Sequence, residues 1–236
     1  MSDPRTALVV GASGTLGGAI AKALAGKGFA LGLQALRHPD RLPPLAGARA
    51  YTADLRQAEQ IQKLAADFLK DFGRLDALVW AAGIVREAPV LTLSEDDLRD
   101  VLAVGLTAPF LLAKAVSRQF LKQKSGSFVA LSSHAGLSGR AGGAAYAMAQ
   151  SGLLALVKSL AREWGPLGIR VNCVVPPFIP DSELGRAATP EFAESVRRKS
   201  VYQSGADPAA AVGEFVADLV ANPTASGQTF VLDARI

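Results

Sequence analysis

The stretch FVALSSHAGLSGRAGGAAYAMAQSGLLALVKSLARE, residues Phe128–Glu163, decides the fold. Its first four residues, Phe128–Leu131, form a short apolar run of strand type, and a long helical pattern starts near Ala144. A loop of small residues, Gly136–Ala145, lies between them and suggests room beside the tyrosine. Ser133 stands at the carboxyl end of the strand and Tyr146 on the first turn of the helix. A parallel α/β sheet gathers its reactive groups at the carboxyl ends of its strands, so both hydroxyls can face one crevice. Tyr146 and Gln150 are four residues apart on the helix, hence neighbours on one face. Farther along, Leu153, Leu156, Val157 and Leu160 make an apolar stripe for core or interface, and Trp164 is expected to pack at the helix end or a subunit contact.

Strand and helix patterns alternate outward from this stretch. Toward the N-terminus, Thr6–Val10 (TALVV) is an apolar, β-branched run of the kind buried on both faces of a sheet. The glycine turn Gly11-Ala-Ser-Gly14-Thr-Leu-Gly17-Gly18 follows, and then the helical pattern Ala19–Lys27. A glycine turn between a strand and a helix is the setting of a dinucleotide phosphate site. Gly11 permits the tight turn, Gly14 lets backbone approach a pyrophosphate, and Gly17 allows close packing, while the helix N-terminus offers free N–H groups. Ala30–Ala35 reads as the second strand and ends in Leu36-Arg37-His38-Pro39. An acidic residue there would bind a ribose 2′-hydroxyl; none is present, and Arg37 can pair with a 2′-phosphate or face solvent. Tyr51–Leu55 reads as the third strand, Gln57–Phe72 as a helix with Asp54 as candidate N-cap, and Ala77–Val79 as the fourth strand.

Ser94 opens a further helix whose acidic first turn suits the helix dipole. Gly105 permits a kink in it, and Pro109 is expected to add to a break. Ile169–Val175 gives the sixth strand, Asp207–Val220 a helix and Gln228–Leu232 the last strand. Seven strands alternating with helices give a doubly wound sheet, with no repeat and no sign of a second domain.

With 50% hydrophobic residues among 236, the chain suits one α/β domain with a large core. The net charge of +4 is dispersed, which fits a solvated surface better than a nucleic-acid site and allows an anionic ligand or an acidic carrier protein. The single cysteine, Cys173, excludes an internal disulfide and reads as a buried structural thiol. There is no charged-then-apolar leader pattern and no apolar run of membrane-spanning length, so a cytoplasmic protein without membrane or metal is expected.

The glycine turn, and Ser133 thirteen residues before Tyr146, resemble the short-chain dehydrogenase/reductase family, the 3-oxoacyl-(acyl-carrier-protein) reductases most nearly. The resemblance runs nearly end to end. It implies a single-domain, Rossmann-like sheet of about seven strands over residues 1–236, with a substrate lid at about 178–205. It also implies that NADP(H) is held by Gly11, Ser13, Gly14, Thr15, Leu16, Gly17, Arg37, Asp54, Leu55, Ala82, Gly83, Gln150 and Pro176, with Asp54 over the adenine. In the family the tyrosine is the general acid and the serine holds the substrate oxygen. A lysine four residues after the tyrosine binds the nicotinamide ribose and lowers the tyrosine pKa.

Several family positions are altered. Gln150 replaces the lysine, Gly105 the asparagine that kinks the helix, Ala81 one asparagine of Asn-Asn-Ala-Gly, Thr15 a glycine, and Pro177 the glycine of Pro-Gly. Without the lysine charge, Tyr146 is expected to titrate near its ordinary value of about 10 and to serve reduction better than oxidation. His134, next to Ser133, reads either as an acid–base group or as a loop histidine with a local partner. Three readings stand: an NADP(H)-dependent ketoreductase of a 3-oxoacyl or related carbonyl; a redox-neutral dehydratase, isomerase or cyclase using Tyr146; and a catalytically impaired subunit of a heteromer. Under all three the family resemblance implies assembly through the two central helices, as a homodimer, a homotetramer or a heteromer with a relative. A small-molecule or carrier-bound acyl substrate is expected for the first.

Overall fold

Leu8 and Val10 of β1 (Thr6–Val10) pack into a core on one face of the sheet, and Ala7 and Val9 into a core on the other; all four are fully buried. This two-residue period, with both faces apolar, is what a central parallel strand requires. The computed structural model describes residues 4–202 and 205–235. In chain order it contains β1, α1 (Thr15–Gly26), β2 (Ala30–Ala35), β3 (Arg49–Thr52), α2 (Ala58–Phe72), β4 (Ala77–Trp80), α3 (Glu95–Leu102), a π-turn (Ala103–Thr107), α4 (Ala108–Gln123) and β5 (Gly126–Leu131). Then come α5 (Ala135–Ser138), α6 (Ala144–Trp164), β6 (Ile169–Val175), α7 (Glu183–Ala187), α8 (Pro190–Lys199), α9 (Pro208–Ala221) and β7 (Thr229–Val231).

The strands lie in the order β3-β2-β1-β4-β5-β6-β7, every pairing parallel. Helices α2, α4 and α6 cover one face and α1 and α9 the other. The chain changes direction across the sheet between β1 and β4, and a crevice opens at the carboxyl ends of strands at such a switch point. Cys173 lies in this core, where burial pushes its thiol up to about 12, in keeping with a structural role. Trp164 is buried at the end of α6, edge-on to Phe120 at 5.9 Å. Leu153, Val157 and Leu160 belong to the same core, with Leu156 packed against it.

Several boundaries differ from those read in the sequence. Helix α1 starts at Thr15, not Ala19, because Gly14 is its N-cap; Gly17 and Gly18 are helical. The third strand is Arg49–Thr52, not Tyr51–Leu55. It is a half-exposed edge strand, and the Ala53 carbonyl after it accepts from Gln34 Nε2 at 2.8 Å instead of a ladder N–H. Asp54 is not the cap of α2, whose N-cap is Gln57 with no side-chain bond. β4 gains Trp80, and β7 is shorter than expected.

The expected break at Gly105 and Pro109 is instead a π-turn within one helical run, Glu95–Gln123. Pro109 has no N–H for the carbonyl of Gly105, so the ordinary i→i+4 register fails there. The Ala108 N–H accordingly reaches back five residues to the Ala103 carbonyl. By length and composition this run is apolar enough to cross a membrane, against the reading from sequence. Val101, Leu112, Val116 and Phe120 of the run pack inside the fold, while Phe110 and Leu121 are exposed.

Candidate active site

At Gly11 and Gly17 the glycine turn is built from backbone contacts that admit no side chain. Gly11 sits at φ +79°, and a Cβ there would lie 2.8 Å from the Ala82 nitrogen; a Cβ on Gly17 would lie 2.2 Å from the Gly11 carbonyl oxygen. Gln34, buried in β2, secures the turn: its Oε1 accepts from the Gly11 N–H at 3.0 Å while its Nε2 holds the Ala53 carbonyl. The signal for Gln34 was available in sequence as the one polar side chain in an otherwise apolar strand. Helix α1 begins with no side-chain cap and no acidic residue in its first turn, so its leading N–H groups are left for an external acceptor.

In front of the turn runs a groove of about 1250 Å³. Gly11, Ser13, Gly14, Thr15, Arg37, Asp54, Leu55, Ala82 and Gly83 line it, and Leu16, Gly17, Gln150 and Pro176 do not. Leu16 packs against the core, and Gly17 is buried behind Gly11. Lys22 and Arg41, which sequence reasoning did not assign to the groove, join Arg37 and its neighbour His38 in the wall. Asp54 is engaged by Arg56, Nη2 to Oδ2 at 2.8 Å, and Arg56 reaches on to Asp100 of α3 at 3.2 Å. The Arg56 hydrogen bond holds the Asp54 carboxyl below the usual carboxylate range. Thr15 has a second contact, its hydroxyl donating to the Asp181 carbonyl at 3.2 Å, which ties the turn to the segment after β6.

At the other end of the crevice Ser133 follows β5, and its Oγ accepts from the Ala135 N–H at 3.2 Å. Tyr146 stands one turn into α6 with the Ser133 side chain as its hydrogen-bonding neighbour. Burial pushes the Tyr146 phenol above its ordinary value, and Ser133 and Arg140 pull the other way without cancelling the rise. The expectation of an ordinary value near 10 is thereby corrected, because desolvation of the anion outweighs the polar neighbours. His134 begins α5 and meets Ser138 at 3.0 Å through Nδ1, the local-partner reading of that residue.

Gln150 is 3% exposed, and its Oε1 is a buried acceptor without a hydrogen-bond partner. Its surroundings are tight. A Cβ on Gly136 would fall 2.8 Å from Gln150 Cβ, and one on Gly105 would fall 2.9 Å from Ala149 Cβ. At Gly136 the small residue serves close contact of α5 with α6, while a Cβ on Gly139 of the same loop would meet nothing within 4 Å. The lid expected at 178–205 contains α7 and α8; residues 203 and 204 of it lie outside the described residues. Arg197 of its basic patch pairs with Glu194 at 2.8 Å.

Residues 5–192 match the family model of the short chain dehydrogenases, and the chain belongs to that family. A 3-oxoacyl-(acyl-carrier-protein) reductase of Synechocystis is 35% identical over 183 residues, 74% of each protein. A D-threitol dehydrogenase of Mycolicibacterium smegmatis is also 35% identical, over 193 residues, 79% of this chain and 74% of that protein. Among solved structures, a dehydrogenase/reductase from Sinorhizobium meliloti superposes with a TM-score of 0.87 at 31% identity, covering 98% of this chain and 94% of that one. The protein is thus a member of an oxidoreductase family and resembles the 3-oxoacyl reductases, while relatives of equal identity carry names for different substrates.

Proposed function

We propose that the protein is an NADP(H)-dependent reductase of a 3-oxoacyl or related carbonyl group, with an atypical site. The observation that carries this reading is Ser133 beside Tyr146 just past the carboxyl end of β5, together with a glycine turn shaped for phosphate just past the carboxyl end of β1. The groove fits a dinucleotide phosphate end: it has an uncapped helix N-terminus, backbone too close for any Cβ, and Arg37, Arg41 and Lys22 in its wall. The cations favour a 2′-phosphate over a bare ribose. Gln150 stands outside the groove wall and is buried, so its unpartnered Oε1 is not counted among the groups that would hold the cofactor.

When bound, the reduced nicotinamide supplies a hydride to the substrate carbonyl carbon. Ser133 Oγ donates a hydrogen bond to the carbonyl oxygen and orients it. Tyr146 Oη gives its proton to that oxygen as negative charge develops there. A raised phenol pKa keeps Tyr146 protonated across the neutral range, as reduction requires. Oxidation of an alcohol requires the phenolate, which Gln150 does nothing to stabilise. The chain therefore favours reduction over oxidation. A carrier-bound acyl group suits the site as substrate, and we assign assembly to the outer faces of α4 and α6, where Phe110 and Met148 are exposed.

The neutral Gln150 also supports a second reading, a redox-neutral reaction in which Tyr146 moves a proton and NADP(H) is a spectator or absent. Titration with NADPH and with NADH, followed by nicotinamide fluorescence and heat, separates the two. The first reading expects micromolar binding with NADPH preferred, followed by turnover of a ketone. Absence of binding to both overturns it.

A further inference from the structure

Three segments meet at one side chain, Arg140, in the loop between α5 and α6. Its guanidinium pairs with Glu87 from the loop after β4 and lies 5.2 Å from the ring centroid of Phe192 on α8. Phe192 in turn stands edge-on to Phe178, just past β6, at 5.8 Å and 72°. A backbone bond from the Ala88 N–H to the Gly142 carbonyl, 2.9 Å, joins the same two loops beside the ion pair. Gly139 and Gly142, at φ +69° and +73°, give the loop the left-handed bends that bring Arg140 there. The side chain folds back on the start of α6: a Cβ on Gly143, its N-cap, would lie 3.5 Å from Arg140 Nε. Tyr146 is three residues farther on.

We propose that Arg140 is the positioning residue of this crevice, fastening the lid helix α8 across its mouth and placing beside Tyr146 the cation that Gln150 does not provide. Both roles follow from one geometry. A guanidinium can stack on an aromatic ring and pair with a carboxylate at once, through its face and its edge. Arg140 is three-quarters buried, so the pair is screened less than one on the open surface. The groups that act on the phenol are Ser133 after β5 and Arg140 from the loop, and Glu87, paired with Arg140, opposes the field of Arg140. Arg140 acts to lower the phenol pKa, the same sign as the family lysine. The half of this inference that concerns Tyr146 rests on its reading as proton donor. The readouts below need neither turnover nor cofactor, so the two can fail separately.

The lid carries its own reporter, the exposed run Arg197-Arg198-Lys199 in α8. In limited trypsin digestion, Arg140→Met is expected to speed cleavage within that run by roughly five-fold, Phe192→Leu to do likewise, and Arg140→Lys to fall between these and the wild type. Alkaline titration of tyrosinate absorbance, with Tyr146→Phe subtracted, reads the second role. Arg140→Met should move the Tyr146 transition to higher pH and Glu87→Gln to lower pH, opposite signs that loosening alone would not produce. Unchanged cleavage in both Arg140→Met and Phe192→Leu overturns the proposal. Faster cleavage with an unmoved tyrosine leaves Arg140 a fastening of the lid and overturns its part beside Tyr146.

Discussion

The two ends of the crevice are built on different principles. At the glycine turn the site is backbone: φ +79° at Gly11, a close approach at Gly17, and a helix N-terminus left uncapped. At Tyr146 the site is side chain, and the neighbouring position on α6, Gln150, departs from the family pattern. Gly11 and Gly17 tolerate almost no substitution, because no side chain fits there, although Thr15 between them departs from the family pattern. Side-chain sites can be rewritten residue by residue while the elements that present them stay put. Helix α6 begins at Ala144, and Ser133 still follows β5, although Gln150 and Gly105 have changed.

The largest expected effect falls on the side-chain end and leaves the fold intact. Tyr146→Phe should lower carbonyl reduction by about 10²–10⁴-fold, the range for loss of a general acid, with the urea unfolding midpoint unmoved. The wild-type rate should hold steady through neutral pH and decline only on the alkaline side, since the raised phenol pKa keeps the proton in place. A purified reductase activity that survives Tyr146→Phe would mean that the chemistry lies elsewhere.

At the backbone end the effect is next in size and opposite in kind. Gly17→Ala puts a methyl 2.2 Å from the Gly11 oxygen, with backbone rather than a flexible side chain in the way. It should cost about 3 kcal/mol of stability and abolish dinucleotide binding together. Stability loss with binding intact would show that the groove does not depend on the turn.

How much of this was legible beforehand follows the same division. The strands Thr6–Val10, Ala30–Ala35 and Ile169–Val175 and the start of α6 at Ala144 stand where the apolar runs placed them, because burial on both faces leaves a continuous hydrophobic signature. The edge strand β3 was misread, since a half-exposed strand bonded on one side carries little such signal. Gly105 and Pro109 announced an irregularity but not its form. Whether a helix breaks or takes up a π-turn depends on what packs against it, here Ala149 of α6. Gln34, Arg140 and Glu87 make contacts across 19 to 53 residues, which periodicity and spacing do not encode.

That packing gives a third test, in which the altered positions are treated as a set. Gly105→Ala should cost about 1–2 kcal/mol, because its Cβ would press on Ala149 at 2.9 Å. Gln150→Lys, which restores the family charge at a position 3% exposed, should raise alcohol oxidation more than carbonyl reduction. A charge next to Tyr146 favours the phenolate that only oxidation needs. Equal changes in both directions would sink the asymmetry assigned to Gln150.

The smallest effect probes the seam between the two ends. Thr15 stands where the family has glycine, and its hydroxyl bonds the Asp181 carbonyl at 3.2 Å, so a residue of the phosphate turn holds the segment that leads into the lid. Thr15→Val keeps the shape and removes the bond. The contact is exposed, so the stability change should be about 0.5 kcal/mol, close to the limit of denaturant titration. Hydrogen exchange should register it better, as faster exchange at the Ser182 and Gly185 amides, which bond locally just beyond Asp181. If those amides exchange no faster, the turn and the lid are independent and the two ends of the crevice meet only through the ligands they share. If they do, Thr15 makes lid order depend on the turn, and ligand binding at the glycine end should slow exchange at the same two amides.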